Sequence, residues 1–118
     1  MNTILIIDDH SSFRLHARAL LESDGFTVVG EADDGASGLA AARSMRPDLV
    51  LLDIGLPDIE GFEVAVQLAV DGPPPLVVLT SSREASAYGP RLAESRVLGF
   101  IPKDELSGAA IRSLADGG

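Results

Sequence analysis

The segment Leu49–Asp53 constrains the fold more than any other part of the sequence, because four consecutive apolar residues lead directly into a carboxylate. An uninterrupted apolar run of this length is typical of a strand buried on both faces of a parallel sheet. Asp53 then lies at the carboxyl end of that strand, where open α/β sheets bind their ligands. Pro57 and Gly61 follow and predict a stiff turn. We therefore interpret Asp53 as a chemically active carboxylate.

Strands and helices alternate along the chain. The predicted strands are Thr3–Asp8, Phe26–Ala32, Asp48–Asp53, Leu76–Thr80 and Val97–Ile101, and the predicted helices are Ser11–Ser23, Ala36–Ser44, Glu60–Val70, Pro90–Glu94 and Gly108–Asp116. The third helix is predicted to bury Ala65, Leu68 and Ala69. Gly89-Pro90 interrupts the region before the fourth helix, so Ser81–Tyr88 is predicted to be loose. Such alternation indicates an α/β fold, which we predict to be a flavodoxin-like three-layer sandwich. Its five-stranded parallel sheet has the order 2-1-3-4-5, with helices on both faces.

Length and composition limit the class of protein. We expect residues 1–118 to form a single domain, because the chain is long enough for one core and too short for two. A net charge of −9 disfavours direct nucleic-acid binding, which needs clustered Lys and Arg. We expect neither a signal peptide nor a membrane span, because no basic opening segment and no sufficiently long apolar stretch occur. The absence of cysteine excludes thiolate metal sites and is compatible with the cytoplasm.

Polar side chains follow the predicted strands at one edge of the sheet. The first strand ends at Asp8 and Asp9, the third at Asp53, the fourth at Thr80 and the fifth near Lys103, the only lysine in the chain. Carboxylates this close need a counter-charge, and Mg²⁺ accepts their oxygens as ligands. A hydroxyl and an ammonium beside them suit phosphoryl transfer, in which a carboxylate can act as the nucleophile.

The sequence from Ile4 to about Leu114 resembles the receiver domain of response regulators in two-component signalling. The residues that carry the resemblance are those at the strand ends: Asp8, Asp9, Asp53, Thr80 and Lys103. The stretch Gly99–Lys103 is most similar to receivers of the subfamily with helix-turn-helix output domains, although no output domain is expected here. The resemblance implies a signalling domain that catalyses only its own phosphorylation and dephosphorylation. Its cofactor would be Mg²⁺ and its phosphoryl donor a sensor histidine kinase. A homodimer or output partner would bind through the fourth helix, fifth strand and fifth helix.

The resemblance also implies residue roles. Asp53 would accept the phosphoryl group, and Asp8, Asp9 and the backbone carbonyl of Gly55 would hold Mg²⁺ together with Asp53. Thr80 and Lys103 would bind the phosphoryl oxygens, and Phe100 would occupy the aromatic switch position. The sequence departs from the family where Pro102 precedes Lys103 and Asp104 follows it. Because one extra residue separates Thr80 from Lys103, Ser81 is an alternative for the hydroxyl role.

Other functions use similar sequence features. A phosphatase with an aspartyl nucleophile needs a second acid two residues after the nucleophile, but Gly55 occupies that position. A flavin or nucleotide carrier needs a Gly/Ser/Thr-rich phosphate loop after the first strand, where this chain has Asp8-Asp9-His10. We predict no metal role for His10 or His16, which lack a second His or Cys at ligand spacing. An atypical receiver that binds proteins without phosphorylation remains the alternative function.

Overall fold

The sheet has five parallel strands in the order β2-β1-β3-β4-β5 in the computed structural model, which describes residues 2–116. The strands are β1 Thr3–Ile7, β2 Thr27–Ala32, β3 Leu49–Asp53, β4 Leu76–Ser81 and β5 Gly99–Pro102. The helices are α1 Ser11–Ser23, α2 Gly35–Met45, α3 Gly61–Val70, α4 Pro90–Glu94 and α5 Gly108–Ala115. The predicted fold and strand order are confirmed. Among the described residues, no helix is long and apolar enough to cross a membrane.

Half of the predicted boundaries match the structure, including both ends of α1 and α4, and the others differ from it by one or two residues. The predicted start of β5 at Val97 is wrong, because pairing with β4 begins where Gly99 lies opposite Val78. Leu98 precedes the strand and donates its backbone N–H to the Val77 carbonyl at 2.8 Å. The strand extends to Pro102, which is tolerated because β5 is an edge strand.

The two faces of the sheet carry separate apolar clusters, as the alternation of side chains along a strand requires. One face packs on α2 and α3, and the other packs on α1 and α5. The predicted buried face of α3 is partly wrong: Val64 and Leu68 are buried, Ala65 is half-buried and Ala69 is exposed. Val64 and Leu68 are four residues apart and therefore lie above one another on the helix.

Asp48 ties the start of β1 to the start of β3. Its Oδ2 accepts hydrogen bonds from the backbone N–H groups of Asn2 (3.0 Å) and Thr3 (3.1 Å) and from the Thr3 hydroxyl (3.0 Å). These donors, led by the Asn2 N–H, lower the pKa of Asp48 to about 2. The contacts hold the register in which Ile7 lies opposite Leu52. That register brings the residues after β1 beside the end of β3.

Candidate functional site

The carboxyl ends of β1 and β3 bring the predicted acidic residues together. Asp8 directly follows β1, and Asp53 is the last residue of the neighbouring β3. Asp8 is fully buried and Asp53 is 4% exposed, whereas Asp9 is exposed. Burying two carboxylates side by side is unfavourable without a cation or protons. This edge of the sheet therefore has the electrostatics of a cation site.

The acidic cluster consists of Asp8, Asp9, His10 and Asp53, each offering a ligand atom within 4.8 Å of the others. Carboxylate oxygens are the donors that Mg²⁺ prefers, so the three aspartates fit that ion. His10 Nδ1 lies 3.3 Å from Asp8 Oδ1 and 3.1 Å from Asp9 Oδ1. The His10 backbone N–H also donates to Asp8 Oδ1 at 2.8 Å. The sequence analysis gave His10 no part in this site.

Lys103 supplies the positive charge inside the cluster. Its Nζ lies 2.7 Å from Asp8 Oδ2 and 3.6 Å from Asp53 Oδ2, and the side chain is only 14% exposed. The ammonium also lies 4.6 Å from the centre of the Phe13 ring on α1, close enough for a cation–π interaction. Lys103 is thus fixed by two carboxylates and one aromatic face, which leaves its ammonium beside the carboxylate of Asp53.

The pKa of Asp53 is raised above its ordinary value, first because burial disfavours the charged carboxylate and then because Asp8 adds a like charge. Lys103 and the hydrogen bond from the Gly55 backbone N–H to Asp53 Oδ1 (3.2 Å) oppose that shift. A bound cation would favour the charged form of Asp53. Cation binding and ionisation of the Asp53 carboxylate would therefore favour each other.

Gly55, Pro57 and Gly61 shape the turn that follows Asp53. Gly61 begins α3, and its backbone N–H donates to the Ile54 carbonyl at 2.9 Å. A Cβ at this position would lie 2.8 Å from Ile54 Cα and would clash with the Asp53 carbonyl oxygen. Only glycine lets the helix start this close to the turn, which explains why the sequence has glycine here. Gly55 is exposed, and a Cβ at this position would meet no atom within 4 Å.

Thr80 and Ser81 point to opposite faces at the end of β4. Thr80 lies opposite Asp53 in the sheet register, is fully buried, and its hydroxyl has no hydrogen-bond partner among the described residues. The Ser81 hydroxyl is already engaged, because it accepts the Arg83 backbone N–H at 3.0 Å and contacts the Tyr88 hydroxyl at 2.5 Å. Of the two candidates for the hydroxyl role, Thr80 is the one with a free oxygen beside Asp53.

Three aromatic rings form a row behind the end of β4. Tyr88 lies between Phe62 of α3 and Phe100 of β5, with ring centres 5.9 Å and 6.0 Å away and both pairs edge to face. The Arg91 guanidinium lies 4.3 Å from the centre of the Phe62 ring and pairs with Glu60 at 3.0 Å. The row connects α3, the segment before α4 and β5 through side chains alone.

Sequence reasoning missed three side chains that contact the site or its neighbour Ser81. His10 directly follows Asp9, so its position beside the cluster could have been predicted from the sequence. Phe13 lies within the predicted first helix, and Tyr88 lies in the segment predicted to be loose. The contact of Phe13 with Lys103 and the packing of Tyr88 between Phe62 and Phe100 join separate elements and arise only on folding. A separate cavity of about 430 Å³, lined by Arg43, Arg46 and Pro73–Pro75 among others, opens at the amino ends of β3 and β4, and no predicted site residue lines it.

Comparisons with known proteins agree with this architecture. The family model described as the response regulator receiver domain matches residues 4–114. BvgA of Bordetella pertussis, named as a positive transcription regulator of virulence factors, is 42% identical over 104 residues, which is 88% of this chain and 50% of BvgA. The response regulator GacA of Pseudomonas viridiflava is 36% identical over 87% of this chain and 49% of GacA. The chain thus spans about half the length of these curated relatives.

Solved structures of receiver domains are also similar to this chain. The signal receiver domain of the response regulator NarL from Mycobacterium tuberculosis has a TM-score of 0.86 and 33% identity, covering 99% of this chain and 98% of that one. A LuxR-family two-component response regulator from Aurantimonas has a TM-score of 0.82 and 28% identity, covering 97% of this chain and 85% of that one. With the family model, the relatives and the acidic sheet edge in agreement, this chain belongs to the response regulator receiver domains of two-component systems.

Proposed function

We propose that Asp53 accepts a phosphoryl group from a sensor histidine kinase and that the modified domain presents a changed protein-binding surface. The observation that carries this proposal is the position of Asp53: buried at the end of β3, 3.6 Å from the Lys103 ammonium and opposite the free hydroxyl of Thr80. A buried carboxylate beside a free hydroxyl and an ammonium suits a nucleophile whose product carries more negative oxygens.

In the transfer step, an Asp53 carboxylate oxygen forms a bond to phosphorus. The bond from phosphorus to the donor histidine nitrogen breaks, and that nitrogen keeps the electron pair. The Thr80 hydroxyl donates to one phosphoryl oxygen, and the Lys103 ammonium neutralises another. The same groups let the domain catalyse its own phosphorylation and dephosphorylation and no other reaction.

The residues proposed to hold Mg²⁺ are Asp8, Asp9, Asp53 and the backbone carbonyl of Gly55. The donor set supports this assignment, because three carboxylates converge within 4.8 Å in a chain with no cysteine. When bound, Mg²⁺ supplies positive charge that offsets the carboxylates and the phosphoryl oxygens together. Asp8 would have a second role besides metal binding, because its 2.7 Å ion pair with Lys103 keeps the ammonium beside Asp53.

The output surface is proposed to lie on α4, β5 and α5, where a second copy of the chain or another partner would bind. Neither the 3-10 turn Ala85–Ala87 nor α4 contains a buried residue, so half-buried side chains such as Tyr88 and Leu92 provide the packing of this part of the surface. Elements of low local stability are suited to switching. Phe100 lies in this region, and its burial is expected to change when the segment shifts.

We propose that the domain works in the cytoplasm, where soluble kinase domains are available to it.

The acceptor is tested by incubating the domain with Mg²⁺ and acetyl phosphate and measuring the intact mass. One phosphoryl group is expected on the wild type and none on Asp53→Asn. Asp33→Asn serves as the matched control, because Asp33 is an exposed aspartate just after β2 at the same edge of the sheet, and it should be labelled like the wild type. Undiminished labelling of Asp53→Asn would show that another residue is the acceptor. An unlabelled wild type would favour the phosphorylation-independent binding module.

A further inference from the structure

The contact between Ser81 and Tyr88 links the phosphorylation site to the region before α4. The two hydroxyl oxygens are 2.5 Å apart, and Ser81 is 4% exposed. The same Ser81 oxygen accepts the Arg83 backbone N–H at 3.0 Å. One buried hydroxyl therefore holds both the first residues after β4 and the tyrosine seven positions after Ser81.

Ser81 is bonded through one peptide unit to Thr80, whose hydroxyl has no partner among the described residues. A buried hydroxyl without a partner gains free energy when an acceptor arrives. Phosphoryl oxygens on Asp53 would be such an acceptor, since Thr80 lies opposite Asp53 in the register. Any shift of Thr80 toward those oxygens must also move Ser81, which points to the other face of the sheet.

We propose that the Ser81–Tyr88 hydrogen bond latches the resting state, and that Tyr88 acts through Ser81 as a positioning residue for Thr80. In the resting state the latch holds the end of β4 with Thr80 unbonded and keeps the Tyr88 ring between Phe62 and Phe100. When Thr80 moves toward the phosphoryl group, Ser81 withdraws, the latch opens, and the segment from Arg83 to Arg96 is released. This inference rests on the proposed function of Asp53.

Tyr88, rather than Phe100, has the polar group that such a latch requires. Phe100 has no hydroxyl, and its ring packs edge to face on Tyr88 with ring centres 6.0 Å apart. Tyr88 bonds directly to the residue after Thr80, so a displacement at β4 reaches it without an intermediate side chain. Phe100 then only packs against the Tyr88 ring, and the burial of Phe100 changes as a consequence of the movement of Tyr88.

The test compares Tyr88→Phe and Ser81→Ala with the wild type, using beryllofluoride and Mg²⁺ as a phosphoryl mimic at Asp53. Tyr88→Phe keeps the ring between Phe62 and Phe100 and removes only the hydroxyl. Losing one net hydrogen bond from the resting state should shift the conformational equilibrium, and so raise mimic affinity, by about 2- to 10-fold in both variants. Amide hydrogen exchange over residues 83–96 should be faster before the mimic is added, and the change on adding it should shrink.

A fluorescence measurement gives an independent readout, because the chain has one tyrosine and no tryptophan. Emission of the wild type reports Tyr88 alone and should change when the mimic binds. In Ser81→Ala the emission without mimic should already lie close to that of the mimic-bound wild type. Ser95→Ala is the matched control, because it removes a hydroxyl of the same segment whose hydrogen bond, to the Leu92 carbonyl at 2.6 Å, stays within that segment. Its mimic affinity should equal that of the wild type.

Each outcome separates the latch from the acceptor assignment. If the wild type binds the mimic but both variants bind it with unchanged or lower affinity, the latch is wrong and Asp53 is unaffected. An equal rise in affinity for Ser95→Ala would also refute the latch, because any loosening of the segment would then suffice. If Asp53 in the wild type accepts neither mimic nor phosphoryl group, the proposed function fails and the latch fails with it. Should Ser81→Ala not fold, Tyr88→Phe alone decides between these results.

Discussion

The ion pair between Lys103 and Asp8 is predicted to be the largest single electrostatic contribution to the stability of the metal-free domain. Asp8 is fully buried and its Oδ2 lies 2.7 Å from the Lys103 ammonium. Replacing Lys103 with methionine keeps an apolar stem of similar length against Phe13 but leaves the Asp8 charge buried. Removing one partner of a buried pair typically costs about 3–5 kcal/mol.

The lower end of that range applies here, since Asp8 keeps its 2.8 Å hydrogen bond from the His10 backbone N–H. We therefore expect Lys103→Met to lower the free energy of unfolding by about 3 kcal/mol. For a chain of 118 residues, each kcal/mol shifts the melting temperature by about 4 °C, so the expected drop is about 12 °C. A domain of this size is stable by about 5–15 kcal/mol, and the variant should remain folded at 25 °C.

Urea and thermal denaturation at neutral pH, with a chelator present, measure the effect. Arg43→Met is the matched control, because Arg43 pairs with Asp71 at the same 2.7 Å but with exposed fractions of 55% and 31%. Such an exposed pair contributes about 0.2–1 kcal/mol. Adding Asp8→Asn to Lys103→Met should recover most of the loss, because the uncompensated charge is then gone. A double variant as unstable as Lys103→Met, or equal losses for Lys103→Met and Arg43→Met, would refute the reasoning.

Two further predictions concern the same cluster. Asp9→Asn should raise the free energy of unfolding of the metal-free domain by about 1 kcal/mol, because it removes one of three converging negative charges at a partly exposed position, and it should weaken Mg²⁺ binding. Titration of the melting temperature with Mg²⁺ measures both effects. A less stable variant with unchanged Mg²⁺ affinity would contradict the assignment of Asp9 to a metal-binding cluster. Because burial raises the pKa of Asp53 in the folded state above its unfolded value, its ionisation makes folding less favourable as the pH rises through the folded pKa. Metal-free Asp53→Asn should therefore melt above the wild type at neutral pH, and this advantage should disappear below the ordinary carboxyl pKa; an advantage independent of pH would show that the charge is not its source.

The sequence by itself determined the fold class and most of the site. Leu49–Asp53 is apolar on both faces and therefore had to be a buried parallel strand with Asp53 at its functional end. The alternation of strands and helices then left few topologies, and the carboxyl ends of parallel strands always share one edge. Asp8, Asp9 and Lys103 could be brought to that edge by topology alone, without any knowledge of side-chain contacts.

Only the tertiary structure decided contacts that depend on where irregular segments return to the sheet. That Thr80 lies opposite Asp53 while the Ser81 hydroxyl contacts Tyr88 follows from strand register and from the approach of Tyr88 to one face of β4, neither of which local sequence contains. The start of β5 was misplaced because pairing with β4 begins only where Gly99 lies opposite Val78, a register that local sequence does not contain. Contacts such as Phe13 on Lys103 join residues that are distant in the chain and depend on packing of the whole domain. The periodicity of apolar residues in the sequence indicates which face of a helix or strand is buried. The hydrogen-bond partner of each polar atom depends instead on which other elements pack beside it in the folded domain.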